Sequence, residues 1–316
     1  MIVRFGLSEL AGLLAEVGIA RPFLIASERW RQLDLPPHVE WWTEVPSQRV
    51  EVPAVADGIL AVGGGSAIDT AKYASAQSGK PVVHVPTTYS GAEWTTTFGI
   101  RSPDRRMRGG GGGARPVGIV YDVDLTLDLP ASTTAGTAMN ALAHCAEALY
   151  ARGRSTDGDE QALAGAPLLA GALPRVLAAP GDRPAREELL RGAMHAGHAL
   201  GLAGLALAHA MAQAVGGAYG LPHGAMNALC LPPALRFNRA LVPAAVERFG
   251  EAVGGDAVER MHELALLGGF ERLRDFGVPE DDLSQLAEAA AARGGNQANP
   301  RPATPAEISA LLASIW

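Results

Sequence analysis

The order of apolar and polar positions divides the chain near residue 130. Before that point, short apolar runs alternate with turn residues: Pro22-Phe23-Leu24-Ile25-Ala26, Gly58-Ile59-Leu60-Ala61-Val62, Pro81-Val82-Val83-His84-Val85 and Val117-Gly118-Ile119-Val120-Tyr121. Uninterrupted runs of this length predict parallel strands buried on both faces. Beyond residue 130 come alanine- and leucine-rich stretches with helical spacing. Breaks are expected at 153–158, 179–184, Pro222, Pro232 and 277–279. The pattern predicts an α/β chain with a Rossmann-like parallel-sheet domain over 1–130 and an all-helical domain over 131–316. The run of glycines at 109–113 reads as a flexible loop near the junction. Residues 199–219 form the longest uncharged run, long enough for a membrane span, but they contain His209, Gln213 and several glycines. A buried helix carrying a site inside a bundle is the expected reading.

The first chemical signal lies where a predicted strand passes into a helix, at Ala61-Val62-Gly63-Gly64-Gly65-Ser66-Ala67-Ile68-Asp69-Thr70-Ala71-Lys72. Unblocked backbone N–H groups and a helix amino terminus suit a phosphate there, although a plain tight turn would use the same glycines. The spacing is neither Gly-x-Gly-x-x-Gly nor a P-loop. The next predicted strand ends in Pro86-Thr87-Thr88-Tyr89-Ser90-Gly91. Two such loops on adjacent strands make a pyrophosphate cradle where doubly wound sheets bind ligands. Gly64, Gly65, Ser66, Thr87 and Thr88 are therefore candidate cofactor-binding residues.

In the helical half, Asn140 and His144 are four residues apart, as are His209 and Gln213, so each pair shares a helix face. His223 follows in Leu221-Pro222-His223-Gly224. Three imidazoles and a carboxylate suit a divalent metal, whereas three imidazoles and a neutral amide hold one less strongly. Asn140, His144, His209 and His223 are taken as catalytic candidates of a metal-free site. The competing reading is a set of histidines that fill the core. His198 and His195 precede His209 by eleven and fourteen residues. On one continuous helix that is roughly 16–21 Å, too far for one compact site. His38, His84 and His262 lie outside the motifs and are expected to be structural or at the surface.

Bulk properties narrow the partners. The 316 residues carry a formal net charge of -7, with a pI near 5.6. That balance argues against nucleic acid or an anionic membrane. The two cysteines, Cys145 and Cys230, lie far apart in apolar surroundings and predict buried thiols in a reducing cytoplasm. The start, Met1-Ile2-Val3-Arg4-Phe5-Gly6, lacks the apolar core of a signal peptide.

Gly63-Gly64-Gly65-Ser66 with Asp69, then Pro86-Thr87-Thr88-Tyr89-Ser90-Gly91-Ala92-Glu93, then Tyr121-Asp122 with Leu125-Thr126, resemble the iron-containing alcohol dehydrogenase superfamily. Within it the likeness is to the maleylacetate reductases. It is carried by Asn140-Ala141-Leu142-Ala143-His144-Cys145-Ala146-Glu147-Ala148-Leu149-Tyr150, by Gly216-Gly217 before Leu221-Pro222-His223, and by Asn299-Pro300-Arg301-Pro302. The resemblance runs from about residue 58 to 316. It implies a dehydroquinate synthase-like architecture, NADH or NADPH as cofactor, and Asp69 beside the glycine loop as a cofactor residue. In metal-dependent relatives an aspartate and three histidines are the ligands, matched here by Asn140, His144, His209 and His223. Maleylacetate reductases resemble this chain in having the asparagine and working without metal. Most relatives have a proton-passing histidine where this chain has Gln213, and glutamine cannot protonate anything near neutral pH. Either His209 or His223 takes that role, or the activity differs.

The implied reaction is hydride transfer to an enone, with histidine donors stabilising the developing oxyanion. A carboxylate substrate calls for cations: Arg301 and Arg236 are the candidates, with an ordinary salt bridge as the alternative for each. Arg105, Arg106 and Arg108 read as a solvated charge run or as partners of cofactor phosphate. Ser27, at the end of the first run, is a further cofactor candidate; with Glu28 and Arg29 beside it, the choice between NAD and NADP stays open. Residues 37–57, with Pro46 and Pro53, are short for the strand and helix of relatives, which predicts an abbreviated adenine side. Burying a sheet edge against a second copy predicts a homodimer. Two other functions remain open: a metal-dependent alcohol or aldehyde dehydrogenase, and a nucleotide-binding homologue without dehydrogenase activity.

Overall fold

The computed structural model describes every residue except Gln48, Pro103 and Arg105. Two compact units emerge, one formed by Met1–Thr88 with Ala92–Asp128 and the other by Tyr89–Gly91 with Leu129–Trp316.

Among the described residues the first unit has eight strands: β1 (Ile2–Phe5), β2 (Pro22–Ala26), β3 (Glu40–Trp42), β4 (Gly58–Gly63), β5 (Pro81–Pro86), β6 (Phe98–Arg101), β7 (Met107–Gly111) and β8 (Arg115–Tyr121). Six of them form one sheet in the order β1-β8-β5-β4-β2-β3, and each neighbouring pair is parallel. Its four central strands are the four apolar runs. Side chains alternate along each strand, so Leu24, Leu60, Val62, Val83 and Val85 meet Leu10, Leu13 and Leu14 of helix α1 (Leu10–Glu16) on one face. Phe23, Ile25, Ile59, Ala61 and Val82 meet Ala71 and Ala74 of α2 (Gly65–Ser78) on the other. Burial on both faces is why these runs carry no polar alternation; each large side chain contributes about 1.5–3 kcal/mol. The edge strands β1 and β3 are only four and three residues long and partly exposed, and lack that signature.

Connectivity locates a ligand crevice. From β2 the chain runs outward to β3, whereas from β4 it runs the opposite way to β5. The order therefore reverses between β2 and β4, where Ala26 and Val62 stand in register. Doubly wound sheets bind ligands beyond the carboxyl ends of strands at such a switch point. Residues 43–57 contain no helix among the described residues, in keeping with the abbreviated segment expected there.

The glycines at 109–113 are not simply a loop. Residues 109–111 continue β7, which pairs with β6 as an antiparallel hairpin. A Cβ at Gly111 would come within 2.9 Å of the Phe98 ring, so glycine is what lets that ring lie across the hairpin. Arg105 lies outside the described residues; Arg106 and Arg108 are exposed, both within 4 Å of Asp104.

The second unit is helical: α3 (Ala131–Ala148), α4 (Thr156–Ala178), α5 (Arg183–Ala203), α6 (Leu207–Tyr219), α7 (His223–Arg239), α8 (Pro243–Val253), α9 (Ala257–Leu267), α10 (Leu283–Ala291), α11 (Gly294–Ala298) and α12 (Pro305–Ala313). Every residue of α3 from Ala138 to Ala148 is buried, and α4, α5, α6 and α7 all pack against it. The alanines in that stretch let four helices approach one axis. Two expectations need correction. Pro232 does not break the helix, because α7 runs through both Pro232 and Pro233. Each interior proline costs about 3 kcal/mol, and the buried stretch Ala225–Leu235 around them offsets that cost. Residues 199–219 are not one helix either. α5 ends at Ala203, Gly204 adopts φ 79° and ψ -159°, and α6 leaves at 101°. His195 and His198 are therefore on a different helix from His209.

The conformation at Gly204 is open essentially to glycine alone. Gly204→Val is expected to lower unfolding stability in urea by about 1–3 kcal/mol; unchanged stability would mean that the turn between α5 and α6 tolerates a side chain.

Candidate active site

Beside the switch point, β4 and β5 end together, with Gly63 opposite Pro86 and the Thr87 N–H donating to the Gly63 carbonyl at 3.1 Å. Gly64 caps α2 without any side-chain hydrogen bond. A Cβ there would lie 2.8 Å from the Thr88 methyl, so glycine keeps the two loops in contact. The Thr88 Oγ1 is buried without a partner. An uncapped helix start beside an unpartnered hydroxyl fits a pyrophosphate. Ser66 is exposed on the first turn of α2. Asp69 is already engaged, pairing with Lys72 at 2.9 Å and accepting from the Gly99 N–H at 3.3 Å. Ser27 follows β2 in extended conformation. Beside it Glu28 pairs with Arg31, and the Arg29 guanidinium stacks 4.3 Å from the centre of Trp30.

In the helical unit, the structure brings Asn140, His144, His209 and His223 together. Asn140 and His144 come from α3, His209 from the first turn of α6 and His223 from the start of α7. The His144 and His209 rings stack with centres 4.7 Å apart, and His223 lies 5.7 Å from His209. The Nε2 atom of each histidine meets an amide: His144 meets Asn140 Nδ2 at 3.5 Å, His209 meets Asn140 Oδ1 at 3.2 Å, and His223 meets Asn227 Nδ2 at 3.0 Å.

The hydrogen bonds fix the protons. Asn140 Nδ2 donates to the Ser90 carbonyl at 3.0 Å, and a carbonyl can only accept. Asn140 Oδ1 thus faces inward, accepting from Asn227 Nδ2 at 2.8 Å, and His209 Nε2 carries the proton shared with it. His209 Nδ1 lies 2.7 Å from Glu147 Oε2. That buried carboxyl also accepts from the Ala206 and His209 backbone N–H groups. One proton therefore sits within the Glu147–His209 pair and another on Nε2. His144 is held neutral: burial and the neighbouring His209 and His223 rings keep it well below the usual imidazole range. Its Nδ1 is buried without a partner.

The loop residues Tyr89–Gly91 belong to this unit for identifiable reasons. The Tyr89 N–H donates to Thr137 Oγ1, and its hydroxyl accepts from the fully buried Arg186 at 3.2 Å. Gly91 has φ 72°, and a Cβ there would stand 2.8 Å from Gly197 Cα and 3.5 Å from His144 Nδ1.

The pattern of residues left three participants unmarked: Asn227, Glu147 and Ser90. Asn227 repeats the four-residue spacing from His223 that Asn140 shows to His144, and that repeat was the available signal. The carboxylate-binding candidates go elsewhere. Arg301 pairs with Glu307 at 2.8 Å, and Arg236 is exposed near the end of α7. His38 and His262 are exposed, whereas His84 is fully buried in β5. Both thiols are buried.

A parallel sheet with a glycine loop at its switch point, followed in the chain by a helical unit with a histidine centre, is the plan of an NAD(P)-dependent oxidoreductase. Models of the iron-containing alcohol dehydrogenase family match residues 51–120, and of that family's C-terminal region residues 134–316; the chain belongs to this family. It is 38% identical to a maleylacetate reductase of Sphingobium indicum, over 81% of this chain and 73% of that protein. Among solved structures, the maleylacetate reductase of Agrobacterium tumefaciens is similar at 28% identity with a TM-score of 0.87. The Rhizobium enzyme of the same name is similar at 29% identity with a TM-score of 0.88. Each covers 100% of this chain, which in turn covers 95% of each of them.

The metal that the family's description implies does not fit this donor set. Its carboxylate position is Asn140, and amide N–H groups point at Nε2 of His144 and His223, the lone pairs a cation would need. Glu147, the nearby carboxyl, is used by His209 and two backbone N–H groups.

Burial and the Lys72 charge push His84 down to about 3, and His144 is lowered as well. The unfolded chain takes up protons at both histidines below about pH 6.5 while the native state does not, so stability is full above that pH and declines as pH falls toward 3. Unfolding midpoints measured from pH 7 to 4 are expected to fall less steeply for His84→Leu than for the parent. Parallel curves would show that His84 does not contribute.

Proposed function

We propose that this chain is a maleylacetate reductase, or a reductase of a similar unsaturated oxo acid, working with NADH or NADPH and without metal. The observation that carries the reading is the amide of Asn140 at the centre of three histidines, in a chain whose relatives of 34–38% identity are maleylacetate reductases. We place the protein in the cytoplasm as a homodimer.

The backbone N–H groups of Gly64, Gly65 and Ser66 and the hydroxyls of Thr87 and Thr88 hold the cofactor pyrophosphate. Ser27 lies toward its ribose. When bound, the nicotinamide supplies a hydride to the electron-poor alkene carbon of the enone. The alkene pair then moves onto the carbonyl, and negative charge develops on its oxygen. His209 is the donor best suited to that oxygen, because Glu147 holds its Nδ1 and its Nε2–H, which rests on Asn140 Oδ1, is directed into the cluster. Neutral His144, and His223 whose Nε2 accepts from Asn227, serve as N–H or lone-pair partners beside His209. Protonation of the enolate carbon completes reduction to the saturated oxo acid. Gln213 cannot deliver that proton, and the Glu147–His209 pair holds one.

Oxidation of NADH and NADPH with maleylacetate, by protein stripped of metal and again after addition of zinc or iron, tests the reading. Turnover without metal is expected, with no gain on metal addition. Activity that appears only with metal would contradict it. His209→Ala and His223→Ala are expected to lower kcat by at least about a hundredfold, the usual scale for an oxyanion donor or general acid, with cofactor binding retained; unchanged kinetics would remove both histidines from the mechanism.

A further inference from the structure

The Ser90 carbonyl sets the direction of the Asn140 amide, so whatever holds that carbonyl also holds the protons of the histidine centre. Ser90 lies in the short loop Tyr89–Gly91, which two helices grip. From α3, Thr137 Oγ1 accepts the Tyr89 N–H at 3.3 Å and donates in turn to the Thr133 carbonyl at 2.8 Å. From α5, Gly197 presses on Gly91, leaving no room for a Cβ. The remaining grip comes from Arg186 near the start of α5. Its guanidinium donates from Nε to the Pro180 carbonyl at 2.6 Å and from Nη1 to the Tyr89 hydroxyl at 3.2 Å. Arg186 and Tyr89 are both fully buried. Burying a cation is costly, and a long apolar side chain would fill the same volume without that cost. What it could not do is direct a hydrogen bond at the Tyr89 hydroxyl. The Asn140 amide, once free of the Ser90 carbonyl, could turn over. Its N–H would then face His209 Nε2, which in the present arrangement carries a proton for Asn140 Oδ1, and His144 Nε2 would lose the N–H that faces it.

We propose that Arg186 is a positioning residue of the histidine centre. By holding the Tyr89 side chain it fixes the Ser90 carbonyl one residue on, and through that carbonyl the Asn140 amide and the tautomers of His144 and His209. The tautomers follow from the donors: His144 Nε2 faces an amide N–H, so its proton is on Nδ1, while His209 carries one on Nε2. Any effect on turnover rests on the reductase reading; the effect on the imidazoles does not.

The test is long-range proton–nitrogen NMR of the full chain labelled with ¹⁵N in its histidines, comparing the parent, Tyr89→Phe, Arg186→Met and Arg186→Lys. Kinetics with maleylacetate and NADH affinity accompany it. The parent should show His144 protonated on Nδ1 and His209 protonated on Nε2. Tyr89→Phe keeps the buried ring and removes only the hydroxyl; it and Arg186→Met should both shift the His144 and His209 signals. Both should also lower kcat by about three- to tenfold, the rate equivalent of one buried hydrogen bond, with KM and NADH affinity nearly unchanged. Arg186→Lys keeps a donor and should recover part of the parent kcat, and the double variant should fall no further than the worse single, since both act through one contact. Parent-like imidazole signals in Tyr89→Phe would overturn the proposal even if that variant melts earlier, because lost stability alone is what a purely structural role gives. A parent with His144 protonated on Nε2 would overturn it as well. Shifted signals in Tyr89→Phe, from a parent that does not reduce maleylacetate, would support the positioning role and reject the reductase reading instead.

Discussion

The orientation of a single carboxamide governs the histidine centre. Asn140 must turn its N–H toward the Ser90 carbonyl, because that oxygen has no proton to give. Its own oxygen then faces inward and accepts from Asn227 and His209. From this one fact follow the protons of the cluster: His209 carries hydrogen on Nε2, Glu147 meets its Nδ1, and His223 accepts from Asn227. A buried network in which one member is reversed would leave donors facing donors, and such half-satisfied arrangements cost more than an apolar core. The loop at Tyr89–Gly91 is part of this constraint, since it supplies the carbonyl that sets the direction.

An amide in place of a carboxylate also limits charge. Two imidazoles stacked at 4.7 Å cannot both ionise with only Glu147 nearby to compensate. Burial keeps His144 neutral, well below its ordinary range. The centre therefore holds one polarised donor and two neutral rings. That suits stabilisation of a developing oxyanion and is ill suited to a dication, whose ligands would have to give up their amide partners.

Much of this was legible in the residue order. The four central strands announce themselves because both faces are buried, which demands continuous apolar runs. β1 and β3 do not, because a short edge strand keeps one side polar. The four-residue spacing on α3 marks Asn140 and His144, and the same spacing on α7 would have marked Asn227 beside His223. Glu147 was hidden for a different reason: its partners come from α6, and nothing local in α3 shows where a distant helix will present its N–H groups. Gly204 looked like one more glycine in an apolar stretch, yet its backbone divides α5 from α6 and sets the direction in which His209 points.

The claim that Asn140 converts a metal centre into an amide centre is tested most directly by titrating zinc into the parent and into Asn140→Asp, with heat and bound metal both measured. A carboxylate at that position removes the N–H that caps His144 Nε2 and supplies an anion, so the variant should bind zinc while the parent does not. Stoichiometric zinc on the parent, held by the same histidines, would contradict the claim.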